Sequence, residues 1–152
     1  MNTKQIINIL TNDFRTRRIF RGVLPRNKLP QFENRRPSVY VINTDHSTGP
    51  GQHWVCVFLE PNGKAEYFDS FGLPPTHAAI HGFIVRNSVA SYRFNQKLLQ
   101  SLTSSTCGLY VLYYVFMKSR GASLWRIQQV FDVNNLWAND RRVRSLVQRF
   151  IN

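Results

Sequence analysis

The spacing of apolar residues changes along the chain and separates a strand-rich centre from helical ends. Thr3 to Phe14 opens with a threonine in the capping position and carries apolar residues at helical spacing, which predicts a short helix. Runs rich in β-branched and aromatic residues predict three strands, at 39–42, 53–59 and 65–71. From Ser105 onward helical spacing returns and predicts helices at about 106–119, 123–131 and 139–151. Asn139 is expected to cap the last of these.

The segments between these elements complete the predicted fold. Residues 15–37 are rich in Arg, Pro and Asn and are expected to be irregular, while 78–85 and 91–94 favour a helix and a further strand. Asn62-Gly63 is a strong turn signal, so the second and third strands are expected to form a hairpin. Central strands with helices at the ends favour the α+β class: one domain over 1–152, with a mixed or antiparallel sheet and helices on its faces.

Charge is the unusual feature of the composition. Twenty Lys and Arg residues against eight Asp and Glu residues give a formal net charge of +12 and a pI near 10.5. The excess sits at the ends, because residues 1–36 carry +7 and residues 118–152 carry +5, whereas 37–117 is neutral. A polyanionic partner is therefore expected at the ends of the chain, and chemistry in its neutral centre.

The rest of the composition excludes several classes of protein. A hydrophobic fraction of 43% excludes a disordered tail. The longest strongly apolar run, 109–117, is too short to span a bilayer, so no membrane partner is expected. Cys56 and Cys107 are too few for a disulfide scaffold or a zinc site, which favours a reducing compartment and no metal cofactor. His77 and His81 have the spacing of a helical metal pair but lack its glutamate and third ligand.

Cys107 has the sequence context of a reactive thiol. Ser104, Ser105 and Thr106 precede it and an apolar stretch follows, so Cys107 is expected in the first turn of a buried helix. The helix dipole and the free N–H groups of that turn favour the thiolate and could stabilise an oxyanion. The alternative is a small core cysteine, which is the commoner role of a lone cysteine.

A thiolate nucleophile needs a proton acceptor, and His53 has the best context among the four histidines. It follows a glycine-rich turn at the start of a strand, whereas His46 lies in a polar loop. If the hairpin turns at Asn62-Gly63, His53 falls opposite about residue 72, and Asp69 lies a few positions away on the adjacent strand. Asp69 could then orient the imidazole, although a strand-end aspartate that makes a turn fits the same pattern.

Together these residues carry a family resemblance, over roughly residues 38–118. The chain resembles the adenovirus protease (adenain) family of cysteine endopeptidases, which is related to the ubiquitin-like-specific proteases, in four motifs: Asn43-Thr44, Gly51-Gln52-His53-Trp54, Tyr67-Phe68-Asp69-Ser70-Phe71-Gly72, and Gln100 ahead of Cys107-Gly108-Leu109. The resemblance implies a catalytic triad of His53, Asp69 and Cys107, with Gln100 completing the oxyanion hole. It also implies that Trp54 forms a wall of the substrate cleft, with a core aromatic as the alternative.

The same resemblance implies a function and partners. It implies a monomeric maturation endopeptidase that cleaves viral structural precursors near glycine, in the virion and host nucleus, with DNA as a polyanionic activator. Adenovirus enzymes carry Glu where this chain has Asp69, and their activator peptide is tethered through a cysteine that residues 70–99 lack. A divergent viral or virus-derived member is therefore expected. Any activator peptide should bind without a disulfide, with Cys56 in the core.

The last predicted helix offers a surface for DNA. Its apolar residues share one stripe, Val143, Leu146, Val147, Phe150 and Ile151. That leaves four arginines toward solvent, Arg141, Arg142, Arg144 and Arg149, which are expected to contact phosphates without reading sequence. A solubilising surface charge is the alternative. Two further functions stay open: a deubiquitinase or ubiquitin-like-protein protease acting on host conjugates, and a basic nucleic-acid-binding module whose cysteine and histidine are structural.

Overall fold

The strand-rich centre of the chain forms one five-stranded sheet in the computed structural model, which describes residues 1–152. The strands lie side by side in chain order: β1 (Phe20–Pro25), β2 (Ser38–Asn43), β3 (Trp54–Leu59), β4 (Ala65–Phe68) and β5 (Arg93–Phe94). The outer pairs β1–β2 and β4–β5 are parallel, and the inner pairs are antiparallel. The sheet is mixed, as predicted.

The hairpin of β3 and β4 sets the register on which the site depends. Its turn holds Gly63 at a φ of +86°, a left-handed conformation that glycine adopts without strain. Cys56 faces Phe68 and Leu59 faces Ala65, which is the predicted register to within one residue. Every residue of β3 is buried because helices cover both faces of the sheet, and this explains its unbroken apolar sequence.

Helices complete the two outer layers. They are α1 (Thr3–Asn12), α2 (Thr16–Ile19), α3 (Ala78–Arg86), α4 (Cys107–Lys118), α5 (Leu124–Gln128) and α6 (Leu136–Ile151). Helix α3 covers one face, packing Ile80, Phe83 and Ile84 against the sheet. Helix α4 lies against the other face, with α1 and α6 packed around it. None of these helices has the length and apolar character needed to cross a membrane.

The segment 15–37 is more regular than predicted. It contains α2, the edge strand β1 and a short 3₁₀ turn at Arg26–Lys28. In β1 only Val23 is fully buried, so the strand lacks the apolar alternation by which a strand is recognised. At the other edge, the strands predicted over 65–71 and 91–94 shorten to β4 and β5.

Both predicted helix caps were wrong in position. Asn2, not Thr3, caps α1, and its side chain exchanges hydrogen bonds with Gln5 in a capping box. Asn135, not Asn139, caps α6 by accepting a hydrogen bond from the backbone N–H of Ala138. Helix α6 therefore begins three residues earlier than predicted, and Asn139 lies buried inside it.

Asn139 satisfies three backbone groups of the core. Its Nδ2 donates to the carbonyl oxygens of Leu99 and Asp132, at 3.0 and 2.8 Å, and its Oδ1 accepts from the N–H of Asp132 at 2.8 Å. It thereby joins α6 to the loop that contains Leu99 and to the loop that contains Asp132.

We expect Asn139→Ala to lower the free energy of unfolding by about 2–3 kcal/mol, because it removes the partner of the Asp132 N–H and one of two hydrogen bonds to each of the carbonyl oxygens of Asp132 and Leu99. Chemical denaturation measures the change. Asn134→Ala is the matched control, since Asn134 is exposed and its side chain makes no hydrogen bond, and it should change stability little. Equal stability of the two variants would contradict the structural role of Asn139.

Candidate active site

Cys107 is the first residue of α4, as predicted. The start of this helix is anchored by Asp140 of α6, whose Oδ1 accepts from the hydroxyls of Thr106, at 3.0 Å, and Tyr110, at 2.9 Å. Gly108 and residues 110–116 of α4 are buried, whereas Cys107 is only partly covered. The thiol therefore sits at the open, positively polarised end of an otherwise enclosed helix.

His53 directly precedes β3 and meets Asp69 directly after β4. His53 Nε2 lies 2.7 Å from Asp69 Oδ1, and both side chains are largely buried. The imidazole also stacks on the ring of Phe71, with centroids 4.6 Å apart and an interplanar angle of 21°. Asp69 Oδ1 accepts a second hydrogen bond from the N–H of Phe71 at 2.9 Å, so the carboxylate is held while it orients the ring.

The contact of His53 with Cys107 shifts both proton affinities. Burial acts to lower the pKa of His53, but hydrogen bonds with Asp69 and Cys107 outweigh it and raise that pKa to about 9. Burial likewise acts to raise the pKa of Cys107, yet His53 and the backbone N–H groups of Trp54 and Gly108 lower it overall. Because Nε2 binds Asp69, the other ring nitrogen, Nδ1, is the one free for Cys107. Both shifts favour the charged forms, a thiolate on Cys107 beside an imidazolium on His53.

A buried asparagine that the sequence did not single out holds Asp69 in place. Asn95 follows β5, is fully buried, and accepts at Oδ1 from the N–H of Asp69 at 2.9 Å. Its Nδ2 donates back to the carbonyl oxygen of Asp69. The only sequence signal is a polar residue at the end of a predicted strand, and that pattern is too common to mark a site.

Gln100 links the loop after Asp69 to the loop before Cys107. Its Oε1 accepts from the Ser70 hydroxyl at 2.6 Å, and its Nε2 donates to the carbonyl oxygen of Ser104 at 2.9 Å. The side chain is buried, and its amide nitrogen is directed toward the loop that leads into Cys107. Ser70 and Ser104 are thus further site residues missed from sequence, and the oxyanion role of Gln100 stays a prediction.

Trp54 lines the cleft and also belongs to the core. A cleft of about 300 Å³ is bounded by Asn43, Gln52, His53, Trp54, Ser105 and Cys107, among others. The indole is 8% exposed and packs in the main core, so both interpretations of Trp54 describe part of its environment. Its Nε1 donates to the carbonyl oxygen of Met1 at 3.2 Å, which brings the start of α1 to the cleft rim.

The remaining predicted residues lie outside this site. Cys56 is fully buried on β3, and burial raises the pKa of its thiol well above the ordinary value. No three His, Cys, Asp or Glu side chains cluster in a way that could hold a metal ion, and the His81 ring packs edge-on against Tyr92. The four arginines named for DNA, Arg141, Arg142, Arg144 and Arg149, are all exposed on α6.

The chain is similar to cysteine proteases of a virus. It is 34% identical over 85 residues to the cysteine protease S273R of African swine fever virus, isolate Tick/Malawi/Lil 20-1/1983, a match covering 49% of this chain and 31% of that protein. The same coverage holds at 33% identity for a protein named SUMO-1 cysteine protease S273R, from isolate Tick/South Africa/Pretoriuskop Pr4/1996. The match therefore spans about a third of these relatives' length. No family model matches the chain.

These relatives confirm the predicted resemblance at the level of viral cysteine proteases, in African swine fever virus rather than an adenovirus. Two solved structures share the fold. The crystal structure of the ASFV pS273R protease has a TM-score of 0.50 and 24% identity, over 71% of this chain and 44% of that one. The central domain of the uncharacterized Lpg1148 protein from Legionella pneumophila has a TM-score of 0.50 and 18% identity, over 97% and 98%. At such identities the likeness concerns the fold alone, and it confirms the α+β class.

We expect alkylation of Cys107 by iodoacetamide to titrate at a lower pH than an ordinary thiol near pKa ~8.5. The depressed pKa of Cys107 means that the thiolate is lost only as the pH falls through that lower value. His53→Gln should move the titration upward, because burial then acts without the imidazolium. Cys107→Ala is the control and should leave no fast-reacting thiol, since Cys56 is buried. An unchanged titration in His53→Gln would rule out the ion pair.

Proposed function

We propose that this chain is a cysteine endopeptidase domain. The observation that carries the proposal is the position of His53 between Asp69 and Cys107, at the first turn of a buried helix. The pKa of His53 is raised and that of Cys107 is lowered, so each shift favours the charged form of its group. The similarity to viral cysteine proteases supports the same activity. A structural cysteine in a nucleic-acid-binding module would not need this arrangement.

The geometry suggests a two-step hydrolysis. The Cys107 thiolate attacks the scissile carbonyl carbon, and the carbonyl π electrons move to oxygen. His53 gives its proton to the amine as the C–N bond breaks, which leaves a thioester on Cys107. His53, now neutral, takes a proton from water as that water attacks the thioester, so the carboxylic product leaves and the thiolate is restored. Asp69 holds the imidazole orientation throughout.

The developing oxyanion needs donors near Cys107. The backbone N–H of Cys107 belongs to the first turn of α4 and is suited to this role. We assign the second donor to Gln100, whose amide nitrogen is directed toward the loop before Cys107. For that role one N–H of the Gln100 amide must donate to the substrate oxygen, while the other keeps its hydrogen bond to the carbonyl oxygen of Ser104.

We assign viral structural precursors as the substrates, cut near glycine during virion maturation. The cleft beside Trp54 is small, and a residue without a side chain would pass it most easily. A ubiquitin-like-protein protease is the second candidate, because one relative carries the name SUMO-1 cysteine protease. Cleavage of Gly-Gly peptides compared with ubiquitin-like C-terminal fluorogenic substrates separates the two.

DNA assistance is part of the same proposal. Exposed arginines on α6 and the basic residues 1–36 support a polyanionic activator that places a monomeric enzyme near packaged substrates, in the virion and host nucleus. An activator peptide, if one is used, would bind without a disulfide. Cys56 is fully buried, and Cys107 is assigned to catalysis.

We expect Cys107→Ala to abolish cleavage of a peptide library while the fold stays intact, because members of a catalytic triad act as a unit. Gln100→Ala should lower kcat by about 10²–10³-fold, the usual effect of removing one oxyanion donor. Single-turnover and steady-state assays measure both.

Gln129→Ala is the matched control. Gln129 is exposed and is not one of the predicted site residues, so this variant should be as active as wild type. Circular dichroism checks that Gln100→Ala still folds, because Gln100 also joins two loops. Normal turnover by folded Cys107→Ala would end the peptidase proposal, and a loss below tenfold would remove Gln100 from the oxyanion hole.

We expect duplex DNA to bind without sequence preference and with strong salt dependence. If about five phosphates are neutralised, log K should fall against log salt with a slope near −4 to −5. Arg141→Ala with Arg149→Ala should reduce the slope by about two, because each removes one phosphate contact. A slope near zero, or strong preference among unrelated sequences, would show that the basic ends have another role.

A further inference from the structure

A second groove adjoins the active-site cleft, between α1, the start of α4 and the middle of α6. Its volume is about 360 Å³, and its walls include Gln5, Ile9, Leu109 and Arg144. Met1 and Ser105 line both this groove and the cleft that contains His53 and Cys107. The two depressions are therefore neighbours that share Met1 and Ser105, and a peptide chain leaving the cleft on this side would pass over these residues into the groove.

Arg144 is the one charged side chain on the groove walls. It is exposed and takes part in none of the ion pairs of the structure, whereas Arg35, Arg93 and Arg120 all have carboxylate partners. Asp140 lies one turn earlier on α6, but it is buried and accepts the hydroxyls of α4 instead. Helix α1 has no acidic residue. A free guanidinium in a site without carboxylates is complementary to an acidic side chain.

The groove walls are mixed, with Gln5, Ser105 and Thr106 beside an apolar part formed by Met1, Ile9 and Leu109. Ile9 of α1 and Leu109 of α4 are partly buried and pack at the edge of the main core. They leave room for an apolar side chain of the peptide next to the acidic side chain that Arg144 would bind. A phosphate backbone would instead need several cations in a row, which this groove does not have.

We propose that this groove is an extended substrate subsite, in which Arg144 selects an acidic side chain of the peptide at one position beyond the cleft. The proposal rests on the peptidase function above and makes Arg144 a specificity-determining residue. The occupant is the substrate chain itself, because the groove adjoins the cleft at Met1 and Ser105 and combines one charged side chain with polar and apolar contacts.

The test uses decapeptide pools with a central Gly-Gly and either Glu or Lys at each other position in turn. Wild type is assayed for cleavage, and Cys107→Ala is assayed for binding by fluorescence anisotropy, so that recognition is measured without turnover. At one position on one side of Gly-Gly we expect Glu to be preferred over Lys by about fivefold in both assays. Arg144→Glu should reverse this preference. Arg126→Glu, which makes the same charge change at an exposed site on α5, should keep it.

The outcomes separate the subsite from the peptidase proposal. Binding selectivity that follows Arg144 without any cleavage would uphold the groove and reject the peptidase. An acid-to-base ratio that is the same in wild type and Arg144→Glu would overturn the groove, even if cleavage is normal. If Arg144→Glu leaves that ratio unchanged and weakens duplex DNA binding as much as Arg149→Glu does, Arg144 contacts DNA and the substrate-subsite proposal is wrong. Absence of both binding and cleavage would overturn both proposals.

Discussion

Helix α4 is apolar around its whole circumference, and the requirement to enclose it organises the rest of the chain. All seven residues from Tyr110 to Phe116 are at most 2% exposed. A helix of this kind is stable only when it is covered on every side, so the sheet packs on one side and α1 and α6 on the others. Its polar atoms are satisfied inside the core, since Tyr110 donates to Asp140 and Tyr114 donates to Glu66. Cys107 lies at the N-terminal end of α4, where this enclosure is incomplete and the thiol is partly accessible.

The site is completed by segments that meet this open end. The β3–β4 register brings His53 and Asp69 together, and Asn95 fixes the backbone of Asp69 from the edge of the sheet. The buried position of His53 and Cys107 works against their charged forms, since burial acts to lower the pKa of His53 and to raise that of Cys107. Their mutual contact and the neighbouring hydrogen bonds outweigh the burial. The packing of α4 against the hairpin therefore creates the contact that favours the charged forms of both groups.

Sequence reasoning succeeded where the determinant was local. The Asn62-Gly63 turn predicted the hairpin and its register to within one residue, and the Ser/Thr stretch before Cys107 predicted a helix start. It failed where the determinant was a distant partner. Strand β1 is defined by parallel pairing with β2 rather than by its own apolar pattern. Asn95 contacts Asp69, 26 positions away, and Ser70 contacts Gln100, 30 positions away. No spacing rule connects either residue to its partner.

The structure shows where the few acidic residues that offset the positive charge lie. Most of the eight acidic residues are used inside the structure, and Asp132 alone is exposed. Glu66 accepts from Arg93, Lys118 and Tyr114, Asp13 pairs with Arg120, and Asp69 and Asp140 serve the site and the start of α4. Their charges are thus turned inward, while the arginines of α6 face solvent. Because most carboxylates already have partners inside the structure, few are exposed to offset the arginines of α6, and this distribution supports the proposal of an anionic partner at that end of the chain.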